Sequence, residues 1–322
     1  MIQVLARHKG AAILAIVIAV VALAPMRMDN YWIQMFTQVA IMALFATALN
    51  MEMGFAGMMP IGQGTFLGLG AYAFAIFAVK VGLPLAAAIA VGLVACIILN
   101  AIIGWLCLRG SPLTFGLLHM AFNILFSTLI VKWISLTGGD LGLHVERKGV
   151  LSQPYYYYLI VLAIVLVCYL LIRIILFSAF GKVAEGLREN EERLTFLGIN
   201  TKNYQLSLFV ISGFFCGLAG MLLVMLNGGA FPAYSQILYS AEAMMMCLIG
   251  GAFTFWGPTL GASLVVVFSN VASGYTQYWQ GTLGVLMVAV VLGFRGGILR
   301  KGKHRVLKPV AKVSTSGTEV AN

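Results

Sequence analysis

The chain carries little charge for its length. Asp, Glu, Lys and Arg make up 9% of its 322 residues and only ten residues are acidic, whereas 61% are hydrophobic. Soluble domains are typically about 45–50% apolar and about 25% charged. This shortage of charge, together with a mean hydropathy of +0.98, excludes an ordinary soluble domain.

Sequence motifs for catalysis and for cofactor binding are also missing. The five cysteines stand singly in apolar runs without CxxC spacing, and the four histidines are scattered, so no metal site or disulfide framework is predicted. Walker A, GxSxG, HExxH and Rossmann patterns do not occur. The net charge of +10 comes from basic residues at the ends of apolar runs and near the C-terminus, which does not favour nucleic-acid binding. We therefore expect neither an enzyme nor a chain that itself binds a cofactor.

Long apolar runs fill the chain instead. About 20 residues of helix cross the roughly 30 Å hydrocarbon core of a bilayer, and backbone amides in lipid must bond within such a helix. The runs predict an all-α, polytopic integral membrane protein with about ten transmembrane helices, some of them broken or re-entrant. The first run is interpreted as an uncleaved span, with a signal peptide as the alternative. The predicted spans are residues 11–24, 32–51, 62–79, 84–108, 113–133, 155–177, 206–226, 238–252, 257–272 and 282–299.

The basic residues are distributed unevenly between the loops. With both termini in the cytoplasm, fifteen of the 20 Lys and Arg residues fall on the cytoplasmic side. Cytoplasmic loops carry the excess of Lys and Arg, so this orientation is predicted. It places residues 181–200 in the cytoplasm, together with a polar tail, residues 311–322, that we expect to be disordered. The basic residues on the other side are Arg27, Lys80, Lys132, Arg147 and Lys148.

Two glycine-rich segments interrupt apolar runs, at residues 54–72 and 250–262. In transporters, paired broken helices in the two halves of the chain often mark the substrate pathway. Close packing of helices through small residues is the alternative interpretation.

The stretch at residues 181–200, GKVAEGLRENEERLTFLGIN, holds four of the ten acidic residues. Its apolar residues recur at helical spacing and predict one amphipathic helix with a single apolar stripe. Such a helix either presents a docking face to a partner or lies as a solvated connection on the protein's own surface. The residues of the stripe are Val183, Leu187, Leu194 and Leu197.

Charged pairs support this helix. Opposite charges four residues apart stabilise an exposed helix by a few tenths of a kcal/mol per pair. Gly198 is suited to the position just after the helix, where a left-handed backbone ends it. The predicted pairs are Arg188 with Glu192 and Glu189 with Arg193.

Residues 181–200 resemble the coupling segment of LivM-type branched-chain amino acid ABC permeases. Four further segments resemble the same family in the same order, so the resemblance covers roughly residues 30–300. These segments are GFAGMMPIGQGTFLGLGAY (54–72), KWISLTGGDLGL (132–143), SGFFCGLAGMLL (212–223) and IGGAFTFWGPTLGA (249–262).

The resemblance implies an ATP-coupling role for residues 181–200. The matching positions are Gly181, Arg188, Glu189, Asn190, Glu191, Leu197, Gly198, Ile199 and Asn200, and Leu187 stands where the family often has Ile. From these we assign ATPase coupling to Gly181, Leu187, Arg188, Glu189, Asn190, Glu191 and Gly198.

The chain also departs from the family pattern. Phe253 stands where the family usually has glycine, and Pro60 replaces a small polar residue. His119 and Asn123 stand where the family has small, weakly polar or apolar residues.

Polar residues within spans are costly and are functional candidates by default. Glu242 is expected in the first turn of its span, where a carboxylate also suits the helix dipole. His119 and Asn123 share one helix face and are either part of the substrate path or an interhelical clasp. Glu52 is interpreted as an interfacial carboxylate. The candidate substrate path consists of Glu242, His119, Asn123, Gly57 and Gly64.

The resemblance implies the permease subunit of an ATP-driven importer in the bacterial inner membrane, with residues 1–310 forming the transmembrane domain. Its expected cargo is a branched-chain amino acid, and its expected partners are a second homologous permease, cytoplasmic ATP-binding subunits, an extracytoplasmic solute-binding protein and membrane lipid. The alternatives are a permease of the same superfamily for urea, short amides or another small solute, and an ion-coupled secondary carrier. An ion-coupled carrier would be expected to have paired acids in mid-span.

Overall fold

The computed structural model describes residues 29–147, 149–275, 278–293 and Gly297. The predicted span at residues 11–24 and the predicted tail at residues 311–322 lie outside these residues. The helices are α1 (Asn30–Asn50), α2 (Gly64–Ala75), α3 (Leu85–Cys107), α4 (Pro112–Lys132), α5 (Ile134–Thr137), α6 (Pro154–Phe177), α7 (Ala179–Glu189), α8 (Glu191–Phe196), α9 (Thr201–Asn227), α10 (Ile237–Gly250), α11 (Gly257–Tyr275) and α12 (Trp279–Gly293).

Apolar runs and local caps together set these helices. Pro112 and Pro154 stand at the first turns of α4 and α6, where a missing backbone N–H costs nothing. The Ser111 side chain accepts a hydrogen bond from the Thr114 backbone N–H and begins α4. Turns of π-helix, Met51–Phe55 and Ile76–Lys80, extend α1 and α2.

The fold is that of an all-α membrane protein, although the predicted count of ten spans is not confirmed. Among the described residues, five helices are long and apolar enough to cross a membrane. Two shorter apolar helices, Gly64–Lys80 and Ile237–Gly250, accompany them. The five long helices are Asn30–Phe55, Leu85–Cys107, Pro112–Lys132, Pro154–Phe177 and Thr201–Asn227.

α1 and α9 form the centre of the molecule. They pack against each other, and α9 also packs on α2 and α3 while α1 packs on α6 and α11. Most of their side chains are buried, whereas α3, α4 and α6 leave large apolar side chains exposed along their outer faces. An apolar outer face is what lipid or a neighbouring subunit would cover.

The two ends of the bundle differ. At one end the two-residue strands β1 (Leu143–His144) and β2 (Gly229–Ala230) pair antiparallel, and the Lys80 ammonium donates to the Ser135 carbonyl. At the other end lie α7 and α8, and the Lys202 ammonium donates to the Gly110 carbonyl.

Both predicted interruptions occur. After the π-helical turn the chain is irregular until α2 begins, and we call residues 51–63 the first broken segment. α10 ends at Gly250 and α11 begins at Gly257, and we call the connection, residues 251–256, the second broken segment. The helix is therefore interrupted at both places, and a substrate pathway along these segments stays a prediction.

Candidate functional site

A cleft of about 390 Å³ opens between α1, α10, α11 and the start of α12. Carboxylate, amide and hydroxyl groups line one part of it, and aliphatic side chains line the rest. The described lining residues are Gln38, Met42, Ala233, Gln236, Leu238, Tyr239, Glu242, Met246, Val265, Val266, Ser269, Asn270, Ser273 and Gln280.

Glu242 is the one acidic side chain among the described lining residues, and no Lys or Arg is among them. It is partly buried. Within the described part of the chain its carboxylate has no hydrogen bond or ion pair, since the ion pair found there joins Lys182 to Glu185 at another place. A carboxylate held within a membrane helix without a protein partner is available to a ligand that carries a positive charge or donates hydrogen bonds.

The prediction that Glu242 lies in the first turn of its helix is wrong. The 3₁₀ turn Pro232–Ser235 and the extended Gln236 precede α10, which begins at Ile237 and carries no acidic residue in its first turn. Glu242 therefore lies in the second turn, beyond the backbone N–H groups that would favour its charge.

The amides of the cleft connect α1 to α11. The Asn270 amide donates to the Gln38 side-chain oxygen (3.3 Å) and to the Val266 carbonyl (2.9 Å). Aliphatic side chains that are almost fully buried form the cleft's inner wall. A cleft with a free carboxylate, amides and an aliphatic wall suits a small solute with a polar head and an apolar tail. The wall residues are Met42, Met246, Val265 and Val266.

Asn123 lies at a junction of three elements and not among the residues of this cleft. Its amide donates to the Thr65 hydroxyl (3.1 Å) and to the Ser235 carbonyl (2.9 Å), which joins α4 to α2 and to the 3₁₀ turn before α10. Gly64 lies at the same junction, where its backbone N–H donates to the Ser240 hydroxyl (2.7 Å).

His119 is fully buried in an aromatic cluster. Its ring lies 5.4 Å from Phe66, 5.8 Å from Phe115 and 5.2 Å from Phe209, measured between centroids. Among the described residues, neither ring nitrogen has a hydrogen-bond partner. Gly57 lies elsewhere, beside Arg188 of α7. The five candidate path residues thus occupy four separate places, and their role in transport stays a prediction.

Glu52 is not the interfacial carboxylate that was predicted, because the π-helical turn carries it into the core. It is 0% exposed, and its Oε1 accepts a hydrogen bond from the Gln63 amide (2.9 Å). The same amide donates to the Ser212 hydroxyl (2.8 Å), which in turn donates to the Ala48 carbonyl (2.8 Å). Sequence reasoning missed Gln63 and Ser212. The signal for Gln63 was an amide inside an otherwise apolar, glycine-rich segment.

Residues 181–200 form two helices and not the single helix that was predicted. The backbone of Asn190 is extended (φ −166°, ψ 105°) and separates α7 from α8. The Asn190 side chain accepts from the Arg193 backbone N–H (2.9 Å) and caps α8. The predicted pairs, Arg188–Glu192 and Glu189–Arg193, need one continuous helix to bring residues four apart together, and the break interrupts it. Neither pair forms an ion pair in the described structure.

The apolar stripe is also divided. The buried face of α7 consists of Gly181, Ala184 and Leu187, whereas Phe196 and Leu197 are 90% and 71% exposed. Gly198 follows α8 at φ +79°, and the Ile199 backbone N–H returns to the Leu194 carbonyl (3.1 Å). The predicted helix stop at Gly198 is therefore confirmed. The coupling role assigned to Leu187 stays a prediction, and its side chain is buried within this chain.

Comparison with known proteins shows which family the chain is similar to. The family described as "Branched-chain amino acid transport system / permease component" matches residues 31–292. The high-affinity branched-chain amino acid transport system permease protein LivM of Escherichia coli is 24% identical, over 85% of this chain and 71% of its own length. The fructose import permease protein FrcC of Rhizobium meliloti is 25% identical, over 79% of this chain and 74% of its own.

A third relative is the autoinducer 2 import system permease protein LsrC of Yersinia pestis, which is 25% identical over 90% of this chain and 85% of its own. No solved structure matches the chain. Because the family match covers most of the chain, the chain belongs to the family of branched-chain amino acid transport system permease components.

Proposed function

We propose that this chain is the permease subunit of an ATP-driven importer and forms part of a transmembrane path for branched-chain amino acids. The single observation that carries the choice of cargo is the cleft around Glu242. An α-ammonium group would bind the free carboxylate, and a branched aliphatic side chain would cover the wall formed by Met42, Met246, Val265 and Val266.

The names of the relatives support the same cargo and also define its competitor. LivM is named for branched-chain amino acids, whereas FrcC and LsrC are named for fructose and autoinducer 2. A sugar can donate hydroxyl hydrogen bonds to Glu242 but has no aliphatic tail for the wall. Urea and short amides lack the tail as well. The chemistry of the cleft thus favours an aliphatic amino acid over these other small solutes.

ATP hydrolysis belongs to separate cytoplasmic subunits in this proposal, because the sequence contains no nucleotide-binding motif. Their docking surface is α8 with its exposed Phe196 and Leu197, surrounded by the charged side chains of Glu189, Glu192 and Arg193. Exposed aromatic and aliphatic side chains within a charged surface are typical anchors of a protein interface.

The orientation follows from this docking. The end that carries α7 and α8 faces the cytoplasm of a bacterium, both termini lie on that side, and the protein spans the inner membrane. The opposite end, with β1, β2 and the loop around Asp140, receives the extracytoplasmic solute-binding protein. A second homologous permease completes the path, lipid surrounds the pair, residues 1–310 form the permease domain, and residues 311–322 form a cytoplasmic tail.

The proposal is tested by transport in a defined system. The chain is co-expressed with ATP-binding subunits, a second permease and a solute-binding protein of the same family of importers, and the complex is reconstituted in proteoliposomes. ATP enclosed with the ATP-binding subunits should drive uptake of radiolabelled leucine, isoleucine and valine, with fructose and urea as competitors. Uptake of fructose or urea without leucine would contradict the cargo. Uptake driven by an ion gradient without ATP would contradict the class of transporter.

A further inference from the structure

We propose that Arg188 is the positioning residue through which α7 holds both broken segments, so that a movement of α7 is transmitted to the helices on either side of the cleft. This inference rests on the proposed function, since the importer's ATP-binding subunits would supply the movement.

Arg188 contacts the first broken segment directly. Its guanidinium Nη1 donates a hydrogen bond to the Gly54 carbonyl (2.5 Å). A side chain on Gly57 would meet the Arg188 Cγ at 2.9 Å and its Cα at 3.2 Å, and the Gly57 backbone has φ +70°. Glycine at position 57 therefore allows both the left-handed turn and the close approach of α7.

Arg188 also contacts the second broken segment. Its guanidinium carbon lies 5.2 Å from the centre of the Phe253 ring, within the distance of a cation–π interaction. Phe253 is 63% exposed, so the contact with Arg188 is not explained by burial in the core. This contact gives a physical role to the phenylalanine that replaces the family's usual glycine.

The two broken segments are joined to each other at the same point. The Asn50 amide donates to the Thr254 carbonyl (3.2 Å). A side chain on Gly54 would collide with the Ala252 carbonyl and the Asn50 side-chain oxygen. Because packed and hydrogen-bonded groups move together, a displacement of Gly54 and Phe253 would move both broken segments as one connected unit.

This unit is continuous with the walls of the cleft. The first broken segment follows α1, which carries Gln38 and Met42. The second broken segment connects α10, which carries Glu242, to α11, which carries Asn270. A shift of α7 relative to the core would therefore act on the cytoplasmic ends of the three helices that surround the cargo.

Arginine suits this position better than lysine. A planar guanidinium donates in its plane to a carbonyl while its face lies against an aromatic ring, whereas an ammonium is a point charge without a flat face. The substitution Arg188→Lys keeps the charge and removes this double contact. Arg109→Lys is the matched control, because Arg109 lies at the same end, 3.6 Å from the Trp105 ring centre, outside both broken segments.

The test measures solute taken up per ATP hydrolysed by the complete complex in proteoliposomes. We expect Arg188→Lys and Phe253→Leu to lower this ratio roughly tenfold, a typical magnitude for coupling between sites, and to abolish stimulation of the ATPase by the loaded solute-binding protein. The ratio is measured on complexes that have assembled, and Arg109→Lys should behave as the unmodified complex does. A normal ratio in both Arg188→Lys and Phe253→Leu would overturn the inference.

A distance measurement separates transmission from a merely structural role. Spin labels on exposed Ile174 of α6 and Leu260 of α11 report the position of α11, since the five native cysteines are buried and react slowly. ATP should change the distance in the unmodified background and leave it unchanged in Arg188→Lys. The same ATP-dependent change in Arg188→Lys would overturn the inference. By contrast, absence of ATP-driven uptake by the unmodified complex would overturn the proposed function itself.

Discussion

Glu52 and Glu242 are both carboxylic acids within apolar helices, but their surroundings differ. Glu52 is fully buried, and the Gln63 amide that binds it also binds Ser212 of α9. Glu242 is only partly buried, lines a cleft and has no partner among the described residues. The first acid is part of the protein core, whereas the second is open to a ligand.

The difference shows how polar groups at membrane depth divide into structural and functional ones. The Gln63 amide satisfies Glu52 Oε1 and links it to Ser212 of α9, although Oε2 has no hydrogen-bond partner among the described residues. A carboxylate without such a donor is retained at a cost in stability, which indicates a use in binding. Replacing each acid in turn tests this distinction.

The largest effect is expected from Glu52→Ala. The change removes the acceptor of the Gln63 amide and leaves a cavity between α1 and α9. The free energy of unfolding should fall by about 3 kcal/mol, from the unsatisfied donor and the cavity together. Thermal unfolding of the detergent-solubilised protein measures the loss.

The control for this change is Glu52→Gln, which keeps an acceptor oxygen for Gln63 and nearly the same volume. The free energy of unfolding of Glu52→Gln should lie within about 1 kcal/mol of that of the unmodified protein. Uptake per folded complex should be unchanged in both variants. A loss of uptake by well-folded Glu52→Gln would show that Glu52 takes part in transport and would remove the contrast with Glu242.

The second-largest effect is expected from Glu242→Gln. The amide retains an acceptor oxygen but loses the charge that would hold an ammonium group. Since a charge-assisted hydrogen bond is about twice as strong as a neutral one, half-saturation of leucine uptake should require roughly tenfold more substrate. Initial rates in proteoliposomes measure this, and the free energy of unfolding should not decrease, because the unpartnered charge is removed.

Glu242→Asp provides the comparison, because it keeps the charge on a shorter side chain. It should transport leucine better than Glu242→Gln does. Equal impairment of the two variants would indicate that the side chain's length matters and its charge does not, which would argue against an ammonium group at this position.

The sequence predicted the helical class, the two interruptions and the helix stop at Gly198, because each of these depends on local composition. Apolar runs predict helices whatever surrounds them, and Gly198 ends α8 through its own backbone conformation. The helix break at Asn190 was not predicted. The extended backbone of Asn190 and its cap on α8 divide a stretch whose apolar spacing is continuous.

The environment of the acids could not be predicted from the sequence. Gln63 is eleven residues from Glu52, and Ser212 is 149 residues from Gln63, so no periodic pattern connects them. The free carboxylate of Glu242 depends on the positions of α1, α11 and α12, which come from distant parts of the chain. Likewise, only the folded chain places Phe253 beside Arg188.

The smallest of these effects is expected from Leu238→Ala, which tests the apolar side of the cleft. Leu238 lines the cleft and is exposed, so its truncation should not disturb the core. Loss of part of the apolar contact is worth about 1 kcal/mol, which should lower the preference for leucine over alanine roughly fivefold. Competition between the two amino acids in the uptake assay measures the preference. If the preference is unchanged while Glu242→Gln still impairs uptake, the cleft recognises the head of the solute and the aliphatic tail lies elsewhere.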